Sequence, residues 1–196
     1  MYDFKKYEEL IKNTLSPYRF NHSMCVANKA RELALKHGAD PDKAFLAGIL
    51  HDITKEMPNG KQIELIEKYE RKLTYVERGN HRVLHQMSGA VYARHILGIE
   101  DEDIVSGIRY HTTGRDNMTL FEMLIYLADF TSEDRDYPDV ETMRAETEKG
   151  LLNGMLYSLK YTIRDVVKQE RLLHPDTLSC YNYVVNNLNR KDFYGE

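Results

Sequence analysis

The sequence predicts an all-α protein, and three observations support this class. Apolar residues recur at the three- and four-residue spacing of helices along most of the 196 residues. The regular alternation of apolar and polar residues that indicates strands does not extend over five or more positions. Most of the 5 prolines and 11 glycines fall between the periodic segments, where helices begin and end. We therefore expect a helical bundle.

The first half of the chain contains recognisable helix starts and stops. Gly38 ends the second helix, and Asp40 with Pro41 supplies an N-cap and a first-turn proline for the third. Residues 57–60 form a turn, and a polar connection over 77–80 precedes the fifth helix. The helices predicted here span residues 3–15, 19–37, 41–54, 61–72 and 81–97.

The second half continues the same pattern around a loop at 112–118 and a charged stretch at 132–138. The predicted helices span 101–111, 119–130 and 141–170, followed by a last helix after His174-Pro175-Asp176. No repeat or shift of composition marks a boundary. We therefore expect one domain over 1–196, with a core of about 18–135 and C-terminal helices at 139–190 packed on it.

Composition limits the classes of partner and the location. The chain is 42% hydrophobic and 30% charged, with a net charge of -4, whereas a general nucleic-acid binder is basic. The N-terminus lacks the apolar region of a signal peptide, and no stretch reaches the roughly 18 apolar residues of a membrane span. Cys25 and Cys180 are too far apart to form a CxxC motif. We expect a cytoplasmic protein that binds neither nucleic acid nor membrane.

Polar residues that follow apolar helical segments are the first indication of function. Residues 44–50 are apolar on every face, and His51 and Asp52 follow at once. Asp129 lies one turn beyond Ile125 in a second segment that is apolar nearly all round. Because burying an unpaired polar group is costly, such residues are paired, bound to metal, or exposed at a helix end. For an isolated His-Asp pair, the exposed helix end is the commoner explanation.

Histidines on two further helices extend this pattern. His22 lies four residues before Val26, and His111 follows an isoleucine by three, so both lie on apolar stripes. One inward histidine is more often a hydrogen-bonded core residue, but four helices that each supply His or Asp favour a shared metal site. Imidazoles and carboxylates without thiolates suit iron, manganese, cobalt or zinc. His81 and His85 lie four apart, and the helical period alone does not say which of them points inward.

The ordered set of His22, His51-Asp52, a further His, His111 and Asp129 resembles the HD-domain metal-dependent phosphohydrolases. The resemblance is closest to the YqeK family of bacterial HD proteins, which are symmetrical bis(5'-nucleosyl)-tetraphosphatases. It spans roughly residues 18–185. The motifs that carry it lie at residues 19–23, 50–55, 85–90, 108–115 and 128–130.

This resemblance implies an HD-domain helical bundle that hydrolyses diadenosine tetraphosphate into two ADP by attack of a hydroxide bound to two metal ions. Iron is the expected metal, with manganese, cobalt or zinc as alternatives. Family spacing selects His85 over His81, Asp52 bridges the two ions, and Asp52, Lys55 and His22 are the expected catalytic residues. The implied metal ligands are His22, His51, Asp52, His85, His111 and Asp129.

Substrate-binding residues are expected around the same motifs. Lys55 follows Asp52 by three residues, so its ammonium can meet phosphate oxygens, although a basic residue outside a motif is more often a solvated surface charge. Arginines suit bidentate phosphate contacts. Two departures from the family affect this set: Ser132 replaces the usual Glu, and Tyr181-Asn182 replaces Arg-Asn. The expected substrate-binding residues are Lys55, Thr112, Thr113, Gly114, Arg115, Arg135, His174 and Thr177.

Other functions fit part of the pattern. Another HD-domain hydrolase would act on nucleoside triphosphates or cyclic dinucleotides, and a non-catalytic nucleotide-binding sensor would keep the fold without turnover. The Thr112–Arg115 loop favours the tetraphosphatase, and the six filled ligand positions disfavour the sensor. The sequence leaves open the base preference and the oligomeric state, for which a homodimer is one alternative.

Overall fold

The structure is a computed structural model that describes the backbone of residues 2–194 and the side chains of residues 2–189. Only helices, turns and loops occur among these described residues, which confirms the predicted all-α class. The helices are α1 (Phe4–Thr14), α2 (Pro17–His37), α3 (Pro41–Leu50), α4 (Asn59–Tyr69), α5 (Tyr75–Gly79), α6 (Leu84–Val91), α7 (Glu102–Tyr110), α8 (Leu120–Thr131), α9 (Val140–Lys149), α10 (Leu151–Lys168) and α11 (Pro175–Tyr194).

Side-chain caps explain most of the helix starts. At α1, α2, α3 and α7, the residue before the helix is Asp or Ser, and its side chain accepts a backbone N–H of the first turn. Thr74 and Thr119 form capping boxes with Glu77 and Glu122 at the starts of α5 and α8. Each cap satisfies donors that the first turn of a helix leaves without an internal partner.

The structure differs most from the sequence-based boundaries in three segments. Residues 77–80 were expected to be a polar connection, but they belong largely to α5 and the residue that follows it. The helix expected over 81–97 is a 3-10 turn at His81–Val83, then α6, then a π-helical turn at Tyr92–Ile96. The helix expected over 141–170 is divided at Gly150, whose φ of 159° and ψ of 153° leave the helical region.

α3 lies at the centre of the bundle. It packs against α1, α2, α7 and α8, and all its residues from Ala44 to Leu50 are buried. Gly48 permits the closest of these contacts, because a Cβ placed there would lie 2.4 Å from the Cα of Ala27 on α2. The third helix ends at Leu50, four residues earlier than predicted, and a series of turns carries the chain through His51 and Asp52.

α8 connects this centre to the C-terminal helices. It packs against α2, α3 and α7 on one side and against α9 and α10 on the other, and α11 packs against α10. The division into a core of about 18–135 and a packed C-terminal part stays a prediction. Between residues 2 and 194, no helix combines the length and the apolar character needed to span a lipid bilayer.

Candidate metal centre

Six histidine and aspartate side chains from separate parts of the chain meet at one end of α3. His22 lies on α2, His51 and Asp52 follow α3, His85 lies on α6, His111 follows α7, and Asp129 lies on α8. Asp129 is partly exposed, and the other five are buried. The structure thus brings together all six residues that the sequence suggested as metal ligands, and their role as ligands stays a prediction.

One half of the cluster is formed by His22, His51 and Asp129. The Nε2 atom of His22 lies 3.0 Å from Oδ1 of Asp129, and Nε2 of His51 lies 3.9 Å from the same oxygen. One ligand atom from each of the three lies within 4.8 Å of the others. Such a group can hold one metal ion through two imidazoles and a carboxylate.

The other half is formed by His51, Asp52, His85 and His111. His51, Asp52 and His111 again offer ligand atoms within 4.8 Å of one another. The Nε2 atom of His85 lies 3.3 Å from Oδ1 of Asp52 and 3.0 Å from Nε2 of His111. His51 belongs to both groups, so the two potential metal positions are adjacent.

Hydrogen bonds behind the cluster orient two of the imidazoles. Nδ1 of His51 donates to the carbonyl of Gly48 at 2.7 Å, and Nδ1 of His111 donates to the carbonyl of Ile108 at 2.8 Å. In each ring this leaves the Nε2 lone pair directed into the cluster, as in most metal-binding histidines. Among the described residues, Nε2 of His51 and Oδ1 of Asp52 are buried without a hydrogen-bond partner. Unsatisfied acceptors of this kind fit a cation.

Electrostatics favour the metal-binding protonation states of His51, His85 and Asp52. Burial lowers the pKa of His51 to about 4 and the pKa of His85 well below its ordinary value, so both imidazoles stay neutral. Burial alone would raise the pKa of Asp52, but Lys55 and the nearby imidazoles hold it well below its usual range. Neutral imidazoles and ionised carboxylates are the forms that bind metals.

Three cationic side chains surround the carboxylates. Nη1 of Arg19 lies 3.0 Å from Oδ2 of Asp52, and Nζ of Lys55 lies 3.6 Å from Oδ1. The guanidinium of Arg135 pairs with the Asp129 carboxylate, and its Nε donates to the Asp129 carbonyl at 2.7 Å. Lys55 and Arg135 were expected here as phosphate contacts. The structure places both at the cluster, and their contact with phosphate stays a prediction.

Asp134 contacts the ring nitrogen of His22 that is not directed at Asp129. Its Oδ2 lies 2.7 Å from Nδ1 of His22, and its Oδ1 accepts the hydroxyl of Ser132 at 2.7 Å. Burial lowers the pKa of His22, but its hydrogen bond to Asp129 outweighs this effect and the pKa is raised. Asp134 therefore orients His22, with Ser132 as its own support.

The loop at 112–118 is fixed to α6 by a buried glutamine. Oε1 of Gln86 accepts the backbone N–H groups of Thr112 and Thr113 at 3.0 and 3.1 Å, and its Nε2 donates to the Thr113 hydroxyl at 3.0 Å. The hydroxyl of Thr112 in turn lies 3.1 Å from Nε2 of His85. Gln86 thus holds Thr112 beside the cluster.

Two other residues of this loop already have partners. The Gly114 N–H donates to the carbonyl of Tyr110 at 2.9 Å, and a Cβ on Gly114, whose φ is +63°, would lie 2.5 Å from Sγ of Cys180. Arg115 pairs with Glu122 through two contacts of 3.0 Å. In this arrangement both residues shape the loop, and their contacts with substrate stay a prediction.

A cavity of about 230 Å³ opens beside the loop. Its lining includes four predicted substrate residues, Thr112, Thr113, His174 and Thr177. Nδ1 of His174 accepts the Asp176 N–H at 3.1 Å, so its Nε2 carries the proton. Within the described chain, that Nε2 and Nε of Arg171, which also lines the cavity, are buried without a hydrogen-bond partner, and Oε1 of Glu77 lies 3.6 Å from Nε2 of His174. A polar ligand in the cavity could supply acceptors for such donors.

Sequence reasoning missed three residues that organise the site. Arg19 lies three positions before His22 on the same helix, so helical spacing could have placed it at the cluster. Gln86 is adjacent to His85 and buried, but nothing in its residue type distinguished it. Asp134 falls in the charged stretch at 132–138, where the sequence analysis singled out Ser132 and Arg135 but not Asp134.

Comparison with known proteins agrees with this geometry. A family model described as the HD domain matches residues 19–134. The chain is 38% identical, over 90% of its length and 94% of the relative, to a symmetrical bis(5'-nucleosyl)-tetraphosphatase of Halalkalibacterium halodurans. It is 36% identical, over the same shares, to the protein of the same description from Bacillus subtilis.

A solved structure has the same fold. The crystal structure of a protein described as a predicted HD superfamily hydrolase involved in NAD metabolism, from Clostridium acetobutylicum, superposes with a TM-score of 0.92. The match covers 95% of this chain and 99% of that one, at 33% identity. The helical arrangement that assembles the cluster is therefore shared with this bacterial protein.

Proposed function

The chain belongs to the HD-domain family, and we propose that it is a symmetrical bis(5'-nucleosyl)-tetraphosphatase that cleaves diadenosine tetraphosphate into two ADP. The membership confirms the resemblance drawn from the sequence motifs. The observation that carries the proposal is the buried cluster in which His51 and Asp52 keep unpartnered acceptors directly beside cationic side chains. The relatives favour this activity over hydrolysis of nucleoside triphosphates or cyclic dinucleotides, and over a sensor without turnover.

The proposed reaction is hydrolysis at the centre of the tetraphosphate. Water forms a new P–O bond to one of the two central phosphorus atoms, and the bond from that phosphorus to the central bridging oxygen breaks. One ADP keeps the oxygen from water, the other leaves with the former bridging oxygen, and the protons of water pass to these groups or to solvent. No oxidant or second substrate is needed.

Two metal ions are the proposed cofactors, with His22, His51, Asp52, His85, His111 and Asp129 as their ligands. Ions held there would acidify water and neutralise charge on the phosphoryl oxygens. We propose iron as the native metal, with manganese, cobalt or zinc as alternatives, and Asp52 as the residue shared between the two positions. A cytoplasmic location and assembly as a homodimer stay predictions.

Two cationic side chains of the protein have specific roles in the proposed reaction. Lys55 lies 3.0 Å from Nε2 of His85, so its ammonium is placed to stabilise phosphate charge at the cluster. Arg135 is fixed to Asp129 at both its backbone and its carboxylate, which orients its guanidinium toward a bound phosphate chain. Preorganised cations of this kind lower the energy of a transition state in which phosphoryl charge develops.

One nucleoside of the substrate is proposed to enter the cavity beside Thr112. His174 and Arg171 would satisfy their buried N–H groups on acceptors of that nucleoside, and Thr113 and Thr177 complete the polar wall. Thr112 connects this cavity to the cluster through its contact with His85.

The first experiment identifies the products formed from diadenosine tetraphosphate by the protein loaded with Fe²⁺ or Mn²⁺, separated by anion exchange. Two ADP as sole products would support the proposal, whereas ATP plus AMP, or no turnover with metal bound, would contradict it. Asp52→Ala should lose turnover and metal together. Lys55→Ala should lose activity while metal stays bound, which separates the proposed roles of the two residues.

A further inference from the structure

A second groove, of about 460 Å³, runs along α10 and is distinct from the cavity beside Thr112. Three cationic residues of α10, Lys160, Arg164 and Lys168, line it at a spacing of four residues. Residues four apart on a helix lie on one face, so the three charges form a single row. All three are exposed.

The cationic row has no carboxylate partner of its own among the described residues. None of its three members takes part in an ion pair there. Of the two aspartates in the groove, Asp165 pairs with Arg171 at 2.5 Å, and Asp139 is the other. Cations outnumber the remaining anion, on a chain whose net charge is -4. The groove therefore suits an anionic ligand.

Two aromatic rings line the groove together with these cationic residues. Tyr157 and Tyr161 lie one turn apart on the same face of α10, and both line the groove. Each is only partly exposed, so its ring is held in place and not free in solvent. Rings placed between cations are typical of sites that stack a nucleobase while the cations contact phosphate.

The groove lies directly beside the first cavity. Tyr161 and Asp165 line both spaces, so they form the partition between them. The ring of Tyr161 lies 5.3 Å from that of Tyr137, whose hydroxyl donates to the carbonyl of Phe130 at 2.8 Å. Phe130 follows Asp129 directly. Tyr161 and Asp165 thus separate the groove from the cavity, and Tyr137 connects Tyr161 to the residue that follows Asp129.

We propose that this groove binds the second nucleoside arm of the dinucleotide, with Tyr157 stacking on its base and the row of Lys160, Arg164 and Lys168 contacting its phosphates. The inference rests on the proposed function. A substrate with a nucleoside at each end needs two such sites, and the groove and the cavity beside Thr112 are neighbouring spaces that share Tyr161 and Asp165. The groove would then select dinucleotides over mononucleotides.

The test compares diadenosine tetraphosphate with adenosine 5'-tetraphosphate, which lacks the second nucleoside. Tyr157→Leu should raise the KM for the dinucleotide about tenfold, as expected for the loss of one stacked base, and leave kcat and KM for the mononucleotide unchanged. Tyr69→Leu, which removes an exposed ring on α4, is the control. It should leave kcat and KM for both substrates unchanged.

The cationic row is tested separately. Lys160→Gln/Arg164→Gln should raise the KM for the dinucleotide several-fold more than Lys5→Gln/Lys12→Gln, which removes the same charge from α1. If wild-type protein forms no ADP from the dinucleotide, the proposed function itself fails. If wild-type turns over but Tyr157→Leu has no effect, or weakens both substrates equally, the groove is not the site of the second nucleoside.

Discussion

His22 is held at both ring nitrogens, by Asp134 on one side and by Asp129 on the other. Asp134 does not act alone, because the Ser132 hydroxyl donates to its second oxygen. The carboxylate that contacts Nδ1 of His22 thus lies two residues beyond Ser132 and is itself held by the Ser132 hydroxyl.

Replacing Asp134 with Ala should lower the affinity for Mn²⁺ by about 10- to 100-fold, because a histidine ligand loses the acceptor that orients its ring. Asp134→Asn keeps an oxygen acceptor for Nδ1 and should recover part of the affinity. Metal content after equilibrium dialysis against graded Mn²⁺ measures both variants. Asp136→Ala, an exposed carboxylate in the same segment, is the control, and equal affinities in all four proteins would contradict a role for Asp134.

The residues that lie in the cluster could be found from sequence because they follow or interrupt apolar helical stripes. His51 and Asp52 follow a fully apolar segment, and His22 and His111 share faces with apolar residues. Asp134 has no such signal, because its neighbours are charged and its position depends on how the chain turns after α8. His85 needed the family spacing as well, because the helical period did not separate it from His81.

α5 is a single short helix whose stability depends on one buried carboxylate. Glu77 is 2% exposed and accepts the Thr74 N–H at 2.7 Å and the Arg71 guanidinium at 2.6 Å. Burial raises the pKa of Glu77, but these hydrogen bonds outweigh it and lower the pKa to about 2. The charge of Glu77 therefore stabilises the folded chain, and the polar sequence of this helix gave no apolar period by which to predict it.

Glu77→Gln should lower the free energy of unfolding at pH 7 by about 1–3 kcal/mol, the usual cost of losing charged hydrogen bonds. Because the pKa is depressed by folding, the contribution is complete above about pH 4.5 and declines as the pH falls toward 2. Urea unfolding of wild type and variant at pH 7, 4.5 and 3 should show the difference shrinking at pH 3. Glu9→Gln is the exposed control, and a difference that does not change with pH would count against the ion pair.

Helix boundaries were predictable where the sequence contains a recognisable cap, and one was missed where it does not. The starts of α3 and α8 were predictable because Asp40 and Thr119 are recognisable caps. The break at Gly150 was missed because the residues on both sides continue the helical period, and a single glycine is tolerated inside many helices. The backbone dihedrals of Gly150 in the folded chain show that a second helix starts there.

Across the whole molecule, the cluster connects helices that are distant in sequence. Its six side chains come from the regions of α2, α3, α6, α7 and α8, which together form most of the core. An ion bound by them is absent from the unfolded chain, so binding shifts the folding equilibrium toward the native state.

Metal removal should therefore lower the thermal stability of the protein. At Mn²⁺ concentrations about 100-fold above Kd, binding adds about 2.7 kcal/mol, which corresponds to a rise in Tm of roughly 5–10 °C for a chain of this size. Thermal unfolding with Mn²⁺ and with a chelator measures the shift. Asp52→Ala should lose most of this Mn²⁺-dependent rise in Tm, and the exposed control Asp116→Ala should keep it. An undiminished rise in Asp52→Ala would mean that the stabilising ion binds elsewhere.

The contact of Gly48 with Ala27 has a consequence for how the molecule opens. With 2.4 Å between a would-be Cβ and the neighbouring Cα, the backbones of α2 and α3 pack directly against each other with no side chain between them. We therefore expect the amides around this contact to exchange slowly with solvent, at a rate set by cooperative opening of the bundle. Local fluctuations would then leave His22 and His51, which α2 and the end of α3 bring into the cluster, in their relative positions.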